Sequence, residues 1–166
     1  MTTQPKFVPN EAVELQLRDE ANFRVRLVDC VGYLIDGVLG LDEEGETRMV
    51  RTPWFDHDIP FEQAAELGTR KVIREHSTIG VVVTTDGSVT DIPRSAYVGA
   101  EERVIAELKA LEKPFVVVLN TKKPLDPDTR RLRDALEERH AVPVMAMDVL
   151  NMREADLNGL LESVLF

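Results

Sequence analysis

The chain has 166 residues, of which 43% are hydrophobic and 30% charged, and its formal net charge is −10. This length suits one globular domain, and the acidic balance argues against binding nucleic acid through clustered Lys and Arg. The single cysteine, Cys30, excludes an internal disulfide and fits a reducing compartment. With no apolar run long enough to span a membrane and no signal-peptide core at the start, the sequence predicts a soluble cytoplasmic protein.

The first elements in chain order form a predicted antiparallel hairpin. Apolar and polar residues alternate over residues 13–17 and again over 23–27, with a turn expected at 19–22. The stretch that follows, residues 32–60, has neither helical nor strand periodicity, and loops of this length are usually functional or disordered. Because it contains the only tryptophan, Trp54, we expect this loop to dock on the domain.

The rest of the chain alternates between predicted helices and buried strands. Three valine-rich apolar runs predict parallel strands covered on both faces: residues 79–85, 114–120 and 142–147. Amphipathic patterns predict four helices: residues 61–76, 98–111, 126–140 and 152–165. Asp126 and Pro127 suit the start of the third helix, and Asn151 followed by Glu154 resembles a capping box for the fourth. A hairpin followed by alternating strands and helices predicts a three-layer α/β domain.

The first candidate motif lies at the end of the hairpin, where Asp29 is followed three residues later by Gly32. In phosphoryl-transfer enzymes an aspartate here holds Mg²⁺, and the glycine amide approaches a terminal phosphate because no side chain intervenes. Asp and Gly also dominate ordinary turns, so the four residues alone favour a turn. The phosphate loop that such enzymes carry, G-x-x-x-x-G-K-S/T, occurs nowhere in the chain.

The second candidate motif follows the middle parallel strand and consists of Asn120, Thr121 and Lys122. Guanine-specific hydrolases carry N/T-K-x-D at this point, and aligning Thr121 and Lys122 to it places Pro124 where the aspartate belongs. Without that carboxylate, guanine specificity has no physical basis, so adenine or no base preference is expected. The preceding strand ends in Asp86-Gly87, which reads as a second phosphate-side loop or as a turn, the turn being favoured.

Two threonines and several isolated residues complete the candidates. Thr2 and Thr3 precede the hairpin, where a switch threonine would sense Mg²⁺ and the terminal phosphate, although frayed polar residues are usual at a terminus. Tyr33 occupies the place where many such enzymes carry a water-orienting glutamine. The three histidines, His57, His76 and His140, share no metal-ligand spacing and are expected to be structural or solvent-exposed. Cys30 lacks a histidine pattern, so a catalytic thiol is not expected.

Long strings of the sequence resemble the stage IV sporulation protein A family of spore-coat morphogenetic ATPases. They are MTTQPKFVPN (1–10), RLVDCVGY (26–33), TPW (52–54), GTRKVI (68–73) and EHSTIGVV (75–82). The resemblance covers essentially the whole chain. It implies a Ras-like, TRAFAC-class P-loop fold with a mixed sheet, and ATP rather than GTP as the nucleotide, used with Mg²⁺.

By position, the resemblance assigns Asp29 as the magnesium-binding and catalytic aspartate, and Thr2 and Thr3 as paired sensor threonines. Gly32, Asn120, Thr121 and Lys122 are the expected nucleotide-binding residues. Hydrolysis in the family drives irreversible polymerisation into a basement layer around the forespore, in the mother-cell cytoplasm. The expected partners are further copies and other coat morphogenetic proteins, with no nucleic acid. The forespore membrane is expected to be reached only through regions outside this chain.

Family members carry a phosphate loop upstream and further domains downstream, so residues 1–166 are expected to be a partial ATPase domain. It lacks the phosphate-loop strand and first helix, and alone it is expected to be inactive. The alternative function is a non-catalytic scaffold or assembly module with a degenerate nucleotide-binding fold. A flavodoxin-like receiver domain is disfavoured, because the hairpin is antiparallel and the acidic cluster that receivers need is not apparent.

Overall fold

A computed structural model describes residues 6–17, 21–37, 42–43 and 46–166 of the chain. The chain divides into two compact units, Met1–Ser77 and Thr78–Phe166. Each unit has its own buried apolar side chains, and each is described by itself below.

The first unit opens with two antiparallel strands, β1 (Lys6–Leu17) and β2 (Ala21–Asp29). Val13 lies opposite Val25 and Leu15 opposite Phe23, so the predicted pairing is present. The register shifts between Val8 and Val13. The turn predicted at 19–22 is wrong for Ala21 and Asn22, which pair with Leu17 and Gln16 as part of β2, and residues 19–20 lie outside the described residues.

The long segment after β2 is organised by short strand pairs. They are β3 (Asp42–Glu43) with β4 (Glu46–Thr47), and β5 (Met49–Val50) with β6 (Ile59–Pro60). Trp54 lies between the strands of the second pair in sequence and is half-buried, and Thr52 and Ile59 are buried. This part of the loop therefore packs against the unit, while residues 38–41 and 44–45 lie outside the described residues. The helix α1 (Phe61–Lys71) follows at once and continues into a π-helical turn, Val72–His76. Together they match the predicted helix.

The second unit is a parallel sheet flanked by helices. Its strands are β7 (Gly80–Thr85), β8 (Phe115–Asn120) and β9 (Val144–Met147), in the order β7-β8-β9. Its helices are α2 (Val98–Ala110), α3 (Pro127–His140) and α4 (Glu154–Leu165). Two 3-10 turns, Arg94–Tyr97 and Val149–Asn151, complete it. The three parallel strands and three following helices were predicted within two residues at each end.

Burial in the second unit explains why it folds this way. The middle strand β8 has five consecutive buried residues, which is the pattern of a strand covered on both faces. On one face Val116, Val118 and Met147 form a core with Leu160 of α4. On the other face α2 approaches so closely that a Cβ added to Gly80 would lie 3.1 Å from the Leu108 side chain.

The prediction that all three strands are covered on both faces is wrong for β7. Val81 is 40% exposed and Val83 61% exposed. Both residues lie on the α4 side of the sheet, since Val81 pairs with Val116 and Val83 with Val118. β7 is an edge strand of this sheet, so these two side chains are only partly covered. The predicted mixed sheet also differs, because the β1-β2 pair and the parallel sheet are separate sheets among the described residues.

Of the two predicted helix caps, the one at α3 is confirmed and the one at α4 is wrong. Asp126 accepts a hydrogen bond from the Asp128 amide at 2.9 Å, as expected for the cap of α3. The Asn151 side chain does not cap α4; it donates to Asp148 Oδ2 at 2.8 Å inside the preceding turn. Instead, Asp156 accepts from the Arg153 amide at 2.9 Å. The Asn151 side chain is therefore engaged by Asp148, the residue that follows β9.

Within the described residues, no helix combines the length and apolar character needed to cross a membrane.

Candidate functional site

In the first unit, the candidate magnesium carboxylate lies at the carboxyl end of a strand, as predicted. Asp29 is the last residue of β2, and its side chain is exposed. Within the described ranges its carboxylate forms no hydrogen bond or ion pair. It is therefore available to a ligand.

Gly32 follows in a conformation that glycine adopts readily. Its φ is +82°, and a Cβ built there would meet no atom of the described chain within 4 Å. Space is therefore open beside this backbone, three residues after the Asp29 carboxylate. The Gly32 amide donates a hydrogen bond to the Cys30 side chain, so the open space lies on the Cβ side of this residue. A phosphate bound through Mg²⁺ needs a nearby carboxylate and space for the backbone to approach it, and Asp29 and Gly32 offer both within the described residues.

Mg²⁺ suits this donor set. It is usually held by one or two carboxylates together with water and substrate phosphates, rather than by a cage of protein ligands. Asp29 offers one unpaired carboxylate, and no group of three metal-ligating side chains occurs among the residues that the structure describes. Asp29 would therefore hold the ion through its water shell and leave the other positions to the nucleotide.

Other candidates of the first unit are placed as follows. Thr2 and Thr3 lie outside the described residues. Burial raises the pKa of the Cys30 thiol, which keeps it protonated at neutral pH and makes it a poor nucleophile. His57 lies beside Asp56 on the surface, and the His76 ring packs edge-on against Phe7 at 6.4 Å.

In the second unit, polar residues follow all three parallel strands at one edge of the sheet. Asp86 follows β7, the Asn120-Thr121-Lys122 motif ends β8, and Asp148 follows β9. Ligands of parallel α/β sheets bind outside the carboxyl ends of the strands. This edge, which we call the carboxyl edge, is therefore the candidate binding surface of the unit.

A hydrogen-bond network joins the loops after β7 and β8. Thr121 Oγ1 donates to Asp86 Oδ2 at 2.6 Å, and the Ser88 amide donates to Asp86 Oδ1 at 2.9 Å. The two hydroxyls then accept from the next amides: Ser88 Oγ from Lys122 at 3.0 Å, and Thr121 Oγ1 from Lys123 at 3.1 Å. Because Thr121 is fully buried, Lys122 is the exposed side chain of the motif.

A second set of bonds ties β8 to the turn after β9. Asn120 Oδ1 accepts from the Val149 amide at 3.1 Å. The hydrogen bond from the Asn151 side chain, more than any other interaction, lowers the pKa of Asp148, and the Lys122 ammonium contributes in the same direction. Asp148 is therefore anionic at neutral pH and lies within electrostatic range of Lys122.

The residues after the motif bear on base recognition. Pro124, at the position where guanine-specific enzymes have aspartate, carries no carboxylate. The next carboxylate, Asp126, is engaged as the cap of α3. Recognition of the guanine N–H groups needs a free acceptor at this position, and none of these side chains supplies it.

Behind the carboxyl edge lies a buried ion pair that the sequence did not predict. Arg94 Nη2 donates to Glu101 Oε1 at 2.8 Å, and Arg94 Nη1 donates to Thr84 Oγ1 at 3.2 Å. The buried His140 ring approaches the same carboxylate, with Nε2 3.7 Å from Glu101 Oε1. Arg94 thus joins β7, the loop after it, and α2.

The loop between Asp86 and Arg94 provides a test of this geometry. Gly87 has φ +90°, and a Cβ there would lie 3.0 Å from the Arg94 backbone nitrogen. We expect Gly87→Ala to lower the free energy of unfolding by about 2 kcal/mol, from left-handed strain plus this backbone clash. Gly99→Ala is the matched control, because a Cβ there would meet nothing within 4 Å. In α2 it is expected to stabilise by up to about 1 kcal/mol. Equal urea midpoints for the two variants would contradict the loop geometry.

Titration of Asp86 gives a further prediction. Partial burial would by itself raise the pKa of Asp86, but hydrogen bonds from Ser88 and Thr121 outweigh burial, so the pKa lies below 3.8. A lowered native pKa stabilises the fold above the unfolded-state value, and this stabilisation is lost as pH falls through the native value. The difference in Tm between the unsubstituted protein and Asp86→Asn should therefore be constant above about pH 5 and shrink below about pH 4. A difference that grows on acidification would contradict it.

The second unit is an α/β domain with a three-stranded parallel sheet, a fold that is compatible with the P-loop nucleotide-hydrolase class. The family model of the stage IV sporulation protein A ATPase domain matches residues 1–166. The chain belongs to this family.

Relatives named stage IV sporulation protein A agree with this assignment. The chain is 52% identical to those of Bacillus anthracis and Bacillus subtilis (strain 168), and 54% identical to that of Clostridioides difficile (strain 630). Each alignment covers 100% of this chain but 34% of the relative, so the chain spans about a third of their length. No solved structure gives a significant match.

Sequence reasoning left Asp86 undecided and missed Asp148 at the carboxyl edge. Asp86 was given as part of a second phosphate-side loop or of a turn, with the turn favoured, and Asp148 was not singled out. Their position in the sequence could have identified both residues, since each directly follows a predicted parallel strand. Ser88 had no sequence signal, because its role depends on Thr121 and Lys122, more than 30 residues away.

Proposed function

We propose that the chain is the part of a sporulation ATPase that carries the magnesium carboxylate and the base-side edge. The observation that carries this proposal is Asp29, an exposed carboxylate without a described partner at the end of β2, followed by the open Gly32 backbone. Membership in an ATPase-domain family supports it.

Asp29 would hold Mg²⁺, and the Gly32 amide would donate to the γ-phosphate. When bound, Mg²⁺ neutralises negative charge that develops on the transferring phosphoryl group. Thr2 or Thr3 would contact the γ-phosphate or its Mg²⁺, and the conformation of the segment at 33–60 would depend on that contact. In the second unit, Lys122 would contact the base side of ATP, with Asn120 and Thr121 holding the loop that carries it.

ATP is the proposed nucleotide, because the position for a guanine-reading aspartate is Pro124. We further propose that hydrolysis drives self-assembly of the spore-coat basement layer at the forespore surface, in the mother cell, together with other coat morphogenetic proteins. The printed names of the relatives support a role in sporulation. The net charge of −10 supports assembly without nucleic acid.

Nucleotide-dependent sedimentation tests this function in the natural protein at its full length. Mg-ATP is expected to convert soluble protein into polymer that pellets, whereas Mg-ADP and a non-hydrolysable ATP analogue leave it soluble. Equal pelleting without nucleotide would contradict the proposal and favour a non-catalytic scaffold.

A further inference from the structure

The loops after β7 and β8 are joined by a network centred on one carboxylate. Asp86 accepts from the Thr121 hydroxyl and from the Ser88 amide, across a sequence separation of 35 residues for Thr121. Neither loop has another described side-chain bond to the other apart from those of Ser88 and Thr121. We call Asp86, Ser88 and Thr121 the latch.

The direction of each hydrogen bond in the latch is fixed by the carboxylate. An ionised carboxylate only accepts, so the Thr121 proton points toward Asp86 Oδ2, 2.6 Å away. The Thr121 oxygen lone pairs then face the Lys123 amide, and the Ser88 oxygen accepts from the Lys122 amide. Asp86 thereby helps to fix the positions of the Lys122 and Lys123 amides, which donate to the Ser88 and Thr121 hydroxyls.

The backbone fixed in this way belongs to Lys122, whose side chain is exposed. Thr121 is 0% exposed, so it cannot move without opening the core, whereas the Lys122 side chain projects into solvent at the carboxyl edge. Lys122 takes part in both interactions, since its backbone amide donates to Ser88 and its ammonium is attracted to Asp148. Its position depends on Asp86 although the two residues form no direct bond.

We propose that Asp86 is a positioning residue for the nucleotide: through Ser88 and Thr121 it fixes the Lys122 loop in the conformation that binds the base side of ATP. This inference rests on the proposed function and adds a residue to it. Because both described bonds of Asp86 lead to Ser88 and Thr121, the latch is expected to govern nucleotide affinity rather than the chemical step.

Steady-state phosphate release from Mg-ATP by the full-length natural protein tests the latch. Asp86→Asn replaces an acceptor-only oxygen pair by an amide, and Thr121→Val removes the hydroxyl at nearly constant volume. Each is expected to raise KM for ATP about tenfold and to leave kcat within about threefold. Thr121→Ser restores the hydroxyl and is expected to return KM to within about twofold of the original.

Asp156→Asn is the matched control, since Asp156 also accepts one backbone amide but caps α4. Its KM should not change. If Asp86→Asn and Thr121→Val lower Tm yet leave KM unchanged, the latch is purely structural and the inference is overturned while the proposed function stands. If the unsubstituted protein releases no phosphate, both are overturned.

Discussion

Replacing Asp29 with asparagine is expected to lower kcat for Mg-ATP hydrolysis by the full-length natural protein about 100-fold or more. Asparagine keeps the size of the side chain but removes the negative charge that would hold Mg²⁺. The Asp29 carboxylate is exposed and has no described partner, so its loss should leave the fold intact. Phosphate release under saturating Mg-ATP measures the effect, and an unchanged Tm separates it from unfolding.

Asp56→Asn provides the control for this experiment. Its carboxylate also belongs to the first unit, is 99% exposed and has His57 as its neighbour. Loss of that charge should change kcat by less than about twofold. If Asp29→Asn behaved like the control, Asp29 would not be the magnesium carboxylate.

The second large effect is expected at the buried ion pair of the second unit. Arg94→Met leaves the Glu101 carboxylate, whose side chain is 2% exposed, without its guanidinium partner. Breaking a buried pair in this way costs about 3–5 kcal/mol of unfolding free energy. For a domain of this size that lowers Tm by roughly 6–20 °C.

The neighbouring carboxylate supplies a matched control. Glu102 pairs with Arg139, but these side chains are 41% and 59% exposed. Arg139→Met should therefore cost at most about 1 kcal/mol. Adding Glu101→Leu to Arg94→Met should recover much of the loss, because a well-packed apolar pair can replace a buried ion pair. Equal Tm losses for Arg94→Met and Arg139→Met would contradict the burial of the Arg94 pair.

The parallel sheet was predictable because its signal is local. The run in β8 is apolar without interruption, and such a run favours a strand covered on both faces. The start of α3 was predictable for the same reason, since Asp126 accepts from the Asp128 amide two residues away and Pro127 is the first residue of the helix. Elements whose stabilising contacts lie close in sequence can be inferred from sequence.

Exposure and long-range bonds were not predictable in the same way. β7 and β8 each contain three consecutive valines, yet Val83 is exposed because β7 lies at an edge of the sheet. The order of the strands in the sheet cannot be inferred from the sequence of one strand. The Asp86–Thr121 bond spans 35 residues, so Asp86 looked like an ordinary turn residue. Asn151 was assigned to the wrong cap because Asp148 competes for its side chain.

The candidate site was partly predictable. Asp29 and Gly32 occupy the strand end and open backbone that the motif requires, and Lys122 lies at the carboxyl edge. Their roles in catalysis and binding stay predictions, as do those of Thr2 and Thr3. The burial of Thr121 could not be inferred from its polar type, because its hydroxyl is satisfied by Asp86 from another loop.

The central claim is that the natural protein is a magnesium-dependent hydrolase of ATP. Comparing phosphate release from ATP and GTP, each with excess Mg²⁺ and with EDTA, tests it most directly. The account predicts release that EDTA abolishes, with kcat/KM for ATP at least about tenfold above that for GTP, because Pro124 leaves the guanine N–H groups without an acceptor. Equal or faster release from GTP, or release that survives EDTA, would contradict it.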